Sequence, residues 1–251
     1  MRRLFYKGRL ADTIEIIGSD AHHLMHVMRA KAGDEVVVVD DEGAVARMEM
    51  VGFSSAAVTL RLVERLAADT ESPAAIVLAP CLLKSEKMEL VVQKAVELGA
   101  VGVMPLASHN CVARYDAKKA AAKVARWQKI ADEAAKQCGR TALMTVEPVT
   151  TLTAFLDQFA ADSAETDEPA ELVFCYENEE QVSIGEQLRA ARGRRIILLI
   201  GPEGGFTLDE AQAILAAGGH SATIGPRILR AETAALAALA VAQYEVGDLG
   251  H

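Results

Sequence analysis

The order of apolar and polar residues along the chain predicts two successive patterns of secondary structure. Up to residue 68, short runs predict strands at residues 3–6, 13–17, 35–40, 45–51 and 58–63, the last of which has a period of two over much of its length, with one helix at 20–29. From residue 76 onwards, short apolar strands alternate with longer helices, which is typical of a parallel sheet covered by helices. The polar stretch 69–75 separates the two patterns and predicts a linker. We therefore expect a small β-barrel domain at residues 1–70 and an α/β domain at residues 74–251.

The second pattern sets specific expectations for the later part of the chain. It predicts strands at 76–79, 101–105, 172–176, 196–200 and 222–224, and helices at 85–98, 118–138, 183–192, from Thr207, and at 233–246. Residues 160–171, AADSAETDEPAE, are polar and predict a surface loop or a loose linker. The last helix is apolar almost all round, so we expect it to be buried, either inside the chain or against a second copy.

The stretch 196–207, IILLIGPEGGFT, combines a strand, a glycine-rich loop and the start of a helix. Thr207 and Glu210 fit a capping box, which marks a helix N-terminus. Glycine lets the backbone approach a ligand closely, so the layout favours a nucleotide-type site at the carboxyl end of a strand. The loop has neither the lysine of a P-loop nor the spacing G-x-G-x-x-G. Taken alone, it is equally consistent with a tight turn.

A second stretch, TIGPRILRAETA at residues 223–234, repeats the order of strand, Gly-Pro and helix. In this pair of motifs the sequence resembles the SPOUT methyltransferases, and within them the enzymes that methylate N3 of a uridine in 16S ribosomal RNA. The segments LLKSEKMELVVQKAVELGAVGVMP and RWQKIADEAAKQCGR resemble two internal motifs of that family. In the first domain, His23, the triplet 27–29 and the pair Gly33-Asp34 match its barrel pattern.

The resemblance implies a fold, a reaction and partners. It implies a SPOUT-type parallel sheet with a C-terminal trefoil knot, preceded by a PUA-like RNA-binding β-barrel. The cofactor would be S-adenosylmethionine, and the substrate a uridine in decoding-site helix 44 of 16S rRNA, in the small ribosomal subunit. The chain would act as a homodimer in the cytoplasm. Another SPOUT RNA methyltransferase, acting on a ribose 2′-OH or on tRNA, and a non-enzymatic RNA-binding protein are the alternatives.

The resemblance also implies site residues. Backbone and apolar groups of three loops would hold the cofactor, namely Tyr176, Glu177, Ile200, Gly201, Pro202, Glu203, Gly204, Gly205, Ile224, Gly225, Ile228, Leu229, Ala231 and Ala234. Uridine N3 is a poor nucleophile until its proton leaves, so a base and a cation are needed. Arg230 is the candidate cation, and Glu232 and Glu203 are candidate bases. For Glu232, charge stabilisation at a helix N-terminus is the preferred alternative.

The distribution of charge is more informative than the net charge of −9. Residues 157–186 contain ten acidic residues and no Lys or Arg, so the remainder of the chain is close to neutral. Residues 1–31 and 84–140 are both basic overall, which allows local contacts with RNA. The candidate RNA-binding residues are Arg2, Arg3, Arg9, Arg29, Lys84, Lys87, Arg114, Arg126 and Arg140. One departure weakens the assignment: residues 108–111 read SHNC where the family has an arginine.

Other residue types narrow the possible classes. The four cysteines are far apart, which favours reduced and mostly buried thiols over disulfides or zinc ligands. His22 and His26 are spaced one helical turn apart, but position 23 is His rather than Glu, so packing is preferred to metal binding. From these spacings we expect no metal. We also expect neither a signal peptide nor a membrane span, because no long apolar stretch is present.

Overall fold

The computed structural model describes residues 3–67 and 70–250, apart from the side chain of Ser85. Its contacts divide the chain into two compact units. The first consists of the chain up to Glu71 together with Ala135–Leu143. The second consists of Ser72–Ala134 and the chain from Met144 onwards. The candidate residue Arg2 lies outside the described residues.

The first unit is built on a five-stranded sheet. Its strands are β1 (Arg3–Phe5), β2 (Thr13–Ile17), β3 (Glu35–Val39), β4 (Val45–Phe53) and β5 (Ala57–Leu66). The order is β1-β3-β4-β5-β2, in which β1 and β3 are parallel and the other pairs antiparallel. Helix α1 (Gly18–His22) follows β2 and continues as a π-helical turn, His23–Val27. The predicted strands and helix are therefore present, with β5 longer than expected.

Side chains alternate between the two faces of the sheet most clearly in β2. In β2, Ile14 and Ile16 are buried, whereas Ile17 is 69% exposed. Successive strand residues point to opposite faces, so the buried pair faces the core and its neighbours face outward. The core beneath also contains Leu24 from the π-helical turn and Met48 from β4.

The second unit contains a six-stranded, wholly parallel sheet. The strands of this unit are β6 (Ile76–Pro80), β7 (Gly102–Val103), β8 (Leu106–Ala107), β9 (Thr145–Val146), β10 (Thr150–Thr151), β11 (Glu171–Cys175), β12 (Ile196–Ile200) and β13 (His220–Ala222). Of these, β8 and β10 form a separate parallel pair outside the six-stranded sheet. The sheet order is β13-β11-β12-β6-β7-β9. All five residues of β6 and of β12 are buried, as expected for central strands covered by helices on both faces.

Six helices accompany this sheet: α2 (Ser85–Glu97), α3 (Ala117–Cys138), α4 (Leu152–Ala164), α5 (Ile184–Ala190), α6 (Leu208–Ala216) and α7 (Ala231–Val246). The α2 face predicted to be apolar is buried, with Met88, Val92 and Val96 fully enclosed. Thr207 and Glu210 form the predicted capping box at the start of α6. Ser183 and Glu186 form another at α5.

Three predicted elements differ from the structure. The prediction of a surface loop at 160–171 is wrong for residues up to Ala164, because α4 continues that far and buries Phe155 and Phe159. The strand predicted at 222–224 is instead β13, His220–Ala222. The strand predicted at 101–105 is limited to β7, and Pro105, which has no N–H to donate, separates it from β8.

Two burial predictions need correction as well. Helix α7 is not buried all round: one face, which includes Ala235, Ala238 and Leu239, is enclosed, while Tyr244 is 63% exposed. Of the cysteines, Cys81 and Cys111 are buried but Cys138 is exposed. The apolar composition of α7 therefore exceeds what the fold of one chain encloses.

Candidate active site

A cavity of about 1020 Å³ lies at the carboxyl ends of β11, β12 and β13. This edge of a parallel sheet is where ligands of α/β proteins commonly bind. All fourteen residues that the sequence assigns to cofactor binding line the cavity, and Arg230 lines it too. Glu232 is not among the lining residues and sits in the first turn of α7. The chain thus brings three separated loops to one site.

The glycine loop after β12 is held tightly by its neighbours. Gly205 has a φ of 68°, a conformation that side chains disfavour, and a Cβ there would collide with the carboxylate of Glu177. A Cβ on Gly201 would lie 3.1 Å from the ring of Phe206. Phe206 is itself buried and packs edge-on against Phe174 with ring centroids 6.1 Å apart. The glycines are therefore required by the packing of the loop, as well as leaving its backbone open to the cavity.

Asn110 supports the same loop from another part of the chain. Its side-chain amide nitrogen donates to the carbonyl oxygens of Gly204 and Gly205 at 3.1 and 3.0 Å. The next residue upstream, His109, donates its backbone N–H to Glu210 at 2.7 Å. The sequence showed Asn110 only as a departure from a family arginine. Asn110 lies 94 and 95 positions from the residues that it contacts, so no local pattern in the sequence could have revealed this role.

The second loop, residues 223–230, carries two arginines toward the cavity. Thr223 fixes its start by accepting a hydrogen bond from the N–H of Gly225 at 3.2 Å. Ile228 is 93% exposed, and Arg227 and Arg230 are exposed as well. Within the described residues, neither arginine side chain forms a hydrogen bond or an ion pair. Their positive charges are therefore available to a ligand.

Lys87 and two carboxylates form a charged group beside the cavity. The Lys87 ammonium lies 3.0 Å from the carboxylate of Glu232 and 3.5 Å from that of Glu203. The adjacent carboxylate of Glu232 raises the pKa of Lys87. Burial raises the pKa of Glu232, but its own backbone N–H and Lys87 lower it more, so the net pKa is below the ordinary value. Glu232 is therefore held as an ion-paired carboxylate.

The third side of the cavity follows β11. The Tyr176 hydroxyl accepts a hydrogen bond from the Asn178 amide at 3.0 Å. Glu179 accepts from the Ser221 hydroxyl at 2.6 Å and from two backbone N–H groups. These bonds, led by that from Ser221, lower the pKa of Glu179. This lining is rich in carboxylates, in contrast to the arginines of residues 223–230.

The RNA-binding candidates in the first unit fall into different environments. Arg29 is exposed and has a φ of 53°, unusual for a residue other than glycine. Arg9 hydrogen-bonds to Glu42 at 2.7 Å. Arg3 donates to the carbonyl oxygen of Arg140 at 2.9 Å, and burial lowers its pKa.

Arg140 does not fit the RNA-binding interpretation. Its side chain is 5% exposed, and its Nε donates to Glu71 at 3.0 Å. Glu71 also accepts from the backbone N–H groups of Thr141 and Ala142. The sequence could not show this because Glu71 and Arg140 lie 69 residues apart. Arg140 serves the fold of the first unit.

The candidates in the second unit also differ from one another. Lys84 is exposed, whereas Lys87 faces the cavity. Arg114 donates to the carbonyl oxygen of His109 at 3.2 Å, and Arg126 pairs with Glu89 at 2.7 Å. Both of these arginines keep enough exposure to meet a polyanion.

Within residues 3–67 and 70–250, no group of three or more His, Cys, Asp or Glu side chains has the geometry to hold a metal ion. His22 and His26 are neighbours, with ring centroids 4.5 Å apart. Over the same residues, none of the helices is long and apolar enough to span a membrane.

Comparison with known proteins identifies the family. Residues 70–243 match the model described as an RNA methyltransferase domain, and residues 16–61 match the RNA methyltransferase PUA domain. The chain belongs to this RNA methyltransferase family. The resemblance drawn from the two glycine-containing motifs is thereby confirmed, and so is an α/β fold accompanied by a PUA-like domain.

Named relatives of the family match almost the whole chain. The ribosomal RNA small subunit methyltransferase E of Bacillus subtilis is 32% identical over 240 residues, covering 94% of this chain and 91% of the relative. The crystal structure of the same enzyme from Neisseria gonorrhoeae, bound to S-adenosyl methionine, superposes with a TM-score of 0.86 at 29% identity, covering 99% of both chains. A putative methyltransferase from Legionella pneumophila, in complex with the same cofactor, gives 0.84 at 30% identity, covering 98% of both.

Proposed function

We propose that this chain is an S-adenosylmethionine-dependent methyltransferase that methylates N3 of a uridine in 16S rRNA, in decoding-site helix 44 of the small ribosomal subunit. The observation that carries the proposal is the cavity itself. Two glycine-containing loops and the end of β11 meet there beside two arginines that form no ion pair within the described residues, in a chain of the RNA methyltransferase family. The named relatives act on small-subunit rRNA, and those solved with a ligand hold this cofactor.

The residues of the cavity fit this cofactor chemically. Ile200, Leu229 and Ala234 provide apolar surface for the adenine, and the open glycine backbone provides hydrogen-bonding groups for its edge and the ribose. The carboxylates of Glu177 and Glu179 suit a ligand with cationic groups. S-adenosylmethionine, when bound, supplies an electrophilic methyl group on a sulfonium. No metal takes part in the proposed reaction.

The side chains of this chain would serve the uridine. Loss of the N3 proton places negative charge on the flanking carbonyl oxygens, and the exposed guanidinium of Arg230 is placed to stabilise it. Of the two carboxylates considered as bases, only Glu203 lines the cavity. Glu232 lies outside the lining, closer to Lys87 than Glu203 does, and its pKa is lowered, so we assign it an electrostatic role and propose Glu203 as the proton acceptor.

We propose different roles for the two parts of the chain. Residues 1–70 would form the RNA-binding barrel, with the exposed Arg29 as one candidate contact, and residues 74–251 would carry the methyl transfer. Lys84, Arg114 and Arg126 are the further RNA contacts proposed in the second part. A uridine inside a duplex would have to be extruded to reach the cavity.

Two further features follow from the family resemblance and remain part of the proposal. The C-terminal elements would thread as a trefoil knot, and the chain would function as a homodimer in the cytoplasm. The exposed side of α7, with Tyr244 63% exposed, supports a surface that a second copy covers. Light scattering of the purified protein measures its mass and so tests whether it is a homodimer.

The test uses small ribosomal subunits from cells that lack the modification. The protein is incubated with these subunits and labelled S-adenosylmethionine, and the nucleosides are analysed by mass spectrometry. We expect 3-methyluridine at one position in the rRNA. A 2′-O-methylated nucleoside, or modification of tRNA instead, would assign the chain to another reaction. Cofactor binding in calorimetry without any methyl transfer would favour a binding protein.

A further inference from the structure

We infer that Lys87 is a positioning residue that occupies the carboxylate of Glu232 and thereby leaves Arg230 free to act on the substrate. The inference rests on the proposed function for the identity of that substrate. It differs from the sequence-based assignment of Lys87 to RNA contact.

The contacts place Lys87 between the two cofactor loops. Its ammonium bridges Glu203 in the glycine loop and Glu232 in the first turn of α7, at 3.5 and 3.0 Å. The three side chains are 30%, 23% and 15% exposed, so water screens this group less than a surface pair. One cation from α2 therefore joins segments that come from different parts of the chain.

Arg230 stands next to the same carboxylate. It is the residue that caps α7, two positions before Glu232, and its charge contributes to lowering the pKa of Glu232. One oxygen of Glu232 is buried and lacks a hydrogen bond of good geometry within the described part of the chain, although the Lys87 ammonium lies 3.0 Å from it. Such a carboxylate attracts any available cation. Because Lys87 already compensates it, the Arg230 guanidinium forms no ion pair within the described residues.

Removing the lysine should therefore redirect the arginine. In Lys87→Met, Glu232 has no cation other than Arg230 within the group, so the guanidinium moves toward it and away from the uracil carbonyls. Replacing Glu232 as well removes the competing carboxylate. The double variant Lys87→Met/Glu232→Gln should then return Arg230 to its free state.

The experiment compares wild type, Lys87→Met, Lys87→Arg and the double variant, with Lys94→Met as the matched control on the same helix. Lys94 pairs with Glu97 on the exposed side of α2. We expect Lys87→Met to lower kcat on the order of 100-fold, as for loss of one preorganised donor, with little change in the KM for RNA. Lys87→Arg should retain most activity. The kcat of the double variant should be at least tenfold higher than that of Lys87→Met, which is on the order of half of the 100-fold loss on a logarithmic scale.

A second readout does not depend on methyl transfer. Phenylglyoxal modifies accessible arginines, and mass spectrometry of peptides reports the rate at Arg230. We expect fast modification in wild type, protection in Lys87→Met and renewed modification in the double variant. The same order in the absence of any methylation would support the inference while rejecting the proposed function.

Other results would overturn the inference. A raised KM for RNA and a shallower salt dependence in Lys87→Met, unrelieved by Glu232→Gln, would make Lys87 a phosphate contact. Equal loss of cofactor affinity and thermal stability in the single and double variants would make it a purely structural residue. Unchanged modification of Arg230 in Lys87→Met would show that the two cations do not compete.

Discussion

The side-chain amide of Asn110 donates a hydrogen bond to the carbonyl oxygen of Gly204 at 3.1 Å and so anchors the glycine loop. The same amide reaches Gly205 at 3.0 Å. Both bonds are made to backbone carbonyls, so they fix the path of the loop without using a side chain of the loop itself. The shape of the cavity therefore depends on a segment far from it in sequence.

Asn110→Ala should weaken cofactor binding while the protein remains folded. The two lost hydrogen bonds together contribute about 1–3 kcal/mol, so the dissociation constant for S-adenosylmethionine should rise by roughly 5- to 160-fold. Calorimetry measures it, and Gln158→Ala on the exposed side of α4 is the control. An unchanged dissociation constant would mean that the loop holds its shape without Asn110.

Gly204→Val should abolish cofactor binding, whereas Asn110→Ala should only weaken it. A Cβ at Gly204 would lie 3.0 Å from the Cβ of Asn110, and the two methyl groups of valine would need still more room. Gly204→Ala should have a smaller effect in the same direction. Calorimetry gives the affinity and circular dichroism the fold. Wild-type affinity in Gly204→Val would reject the assignment of this loop to the cofactor.

The sequence predicted the local features of the site because local physics determines them. The strand at 196–200, the glycine loop and the Thr207 cap follow one another within twelve residues, and each has its own signature. Sequence similarity to a known family then joined this loop to the second one. Neither step required knowledge of distant contacts.

The contacts that the sequence could not predict are long-range pairings of polar groups. Asn110 with the glycine loop, Lys87 with Glu232 and Arg140 with Glu71 all join residues that are distant in the chain. The chemistry of an arginine or a lysine permits either an RNA contact or an ion pair. Only the fold decides between them, and for Arg140 it decided against RNA.

Arg140→Ala should destabilise the first unit rather than weaken RNA binding directly. Removal of a partner from the largely buried pair with Glu71 typically costs about 1–3 kcal/mol. Urea unfolding at neutral pH measures the loss. Glu71→Gln is the companion variant, because it keeps the shape of the side chain and removes its charge. A stability equal to wild type in both would show that the pair is energetically neutral.

The same pair predicts how stability depends on pH. Burial raises the pKa of Glu71, but Arg140 and two backbone N–H groups lower it by more than burial raises it. The net pKa is therefore below the ordinary value of 4.5. A carboxyl with a lowered folded-state pKa stabilises the fold above 4.5 and loses that contribution as the pH falls through its folded pKa. Unfolding followed from pH 6 to about 3 should show a smaller acid-induced loss in Glu71→Gln than in wild type.

Arg29→Ala should weaken binding to small subunits and make it less sensitive to salt. Arg29 is exposed and has no ion pair among the residues that the structure describes, so it can neutralise one phosphate, and the slope of log K against log salt should fall by about 0.7–0.9. Arg9→Ala is the matched control, because Arg9 is already paired with Glu42. Cofactor affinity should be the same in both. Identical salt slopes for wild type and Arg29→Ala would remove Arg29 from the RNA interface.

Arg230→Lys tests the central residue of the proposed chemistry. Arg230 lines the cavity, is exposed and forms no ion pair within the described residues, so its guanidinium can address the uracil carbonyls. Lysine keeps the charge but loses the planar fork, and kcat should fall on the order of 100- to 1,000-fold with little change in the KM for S-adenosylmethionine. If Arg230 instead pairs with a carboxylate of a second copy, Arg230→Lys would loosen the dimer. Measuring kcat at several protein concentrations, together with mass by light scattering, separates the two: recovery of kcat at high concentration would reject the catalytic role.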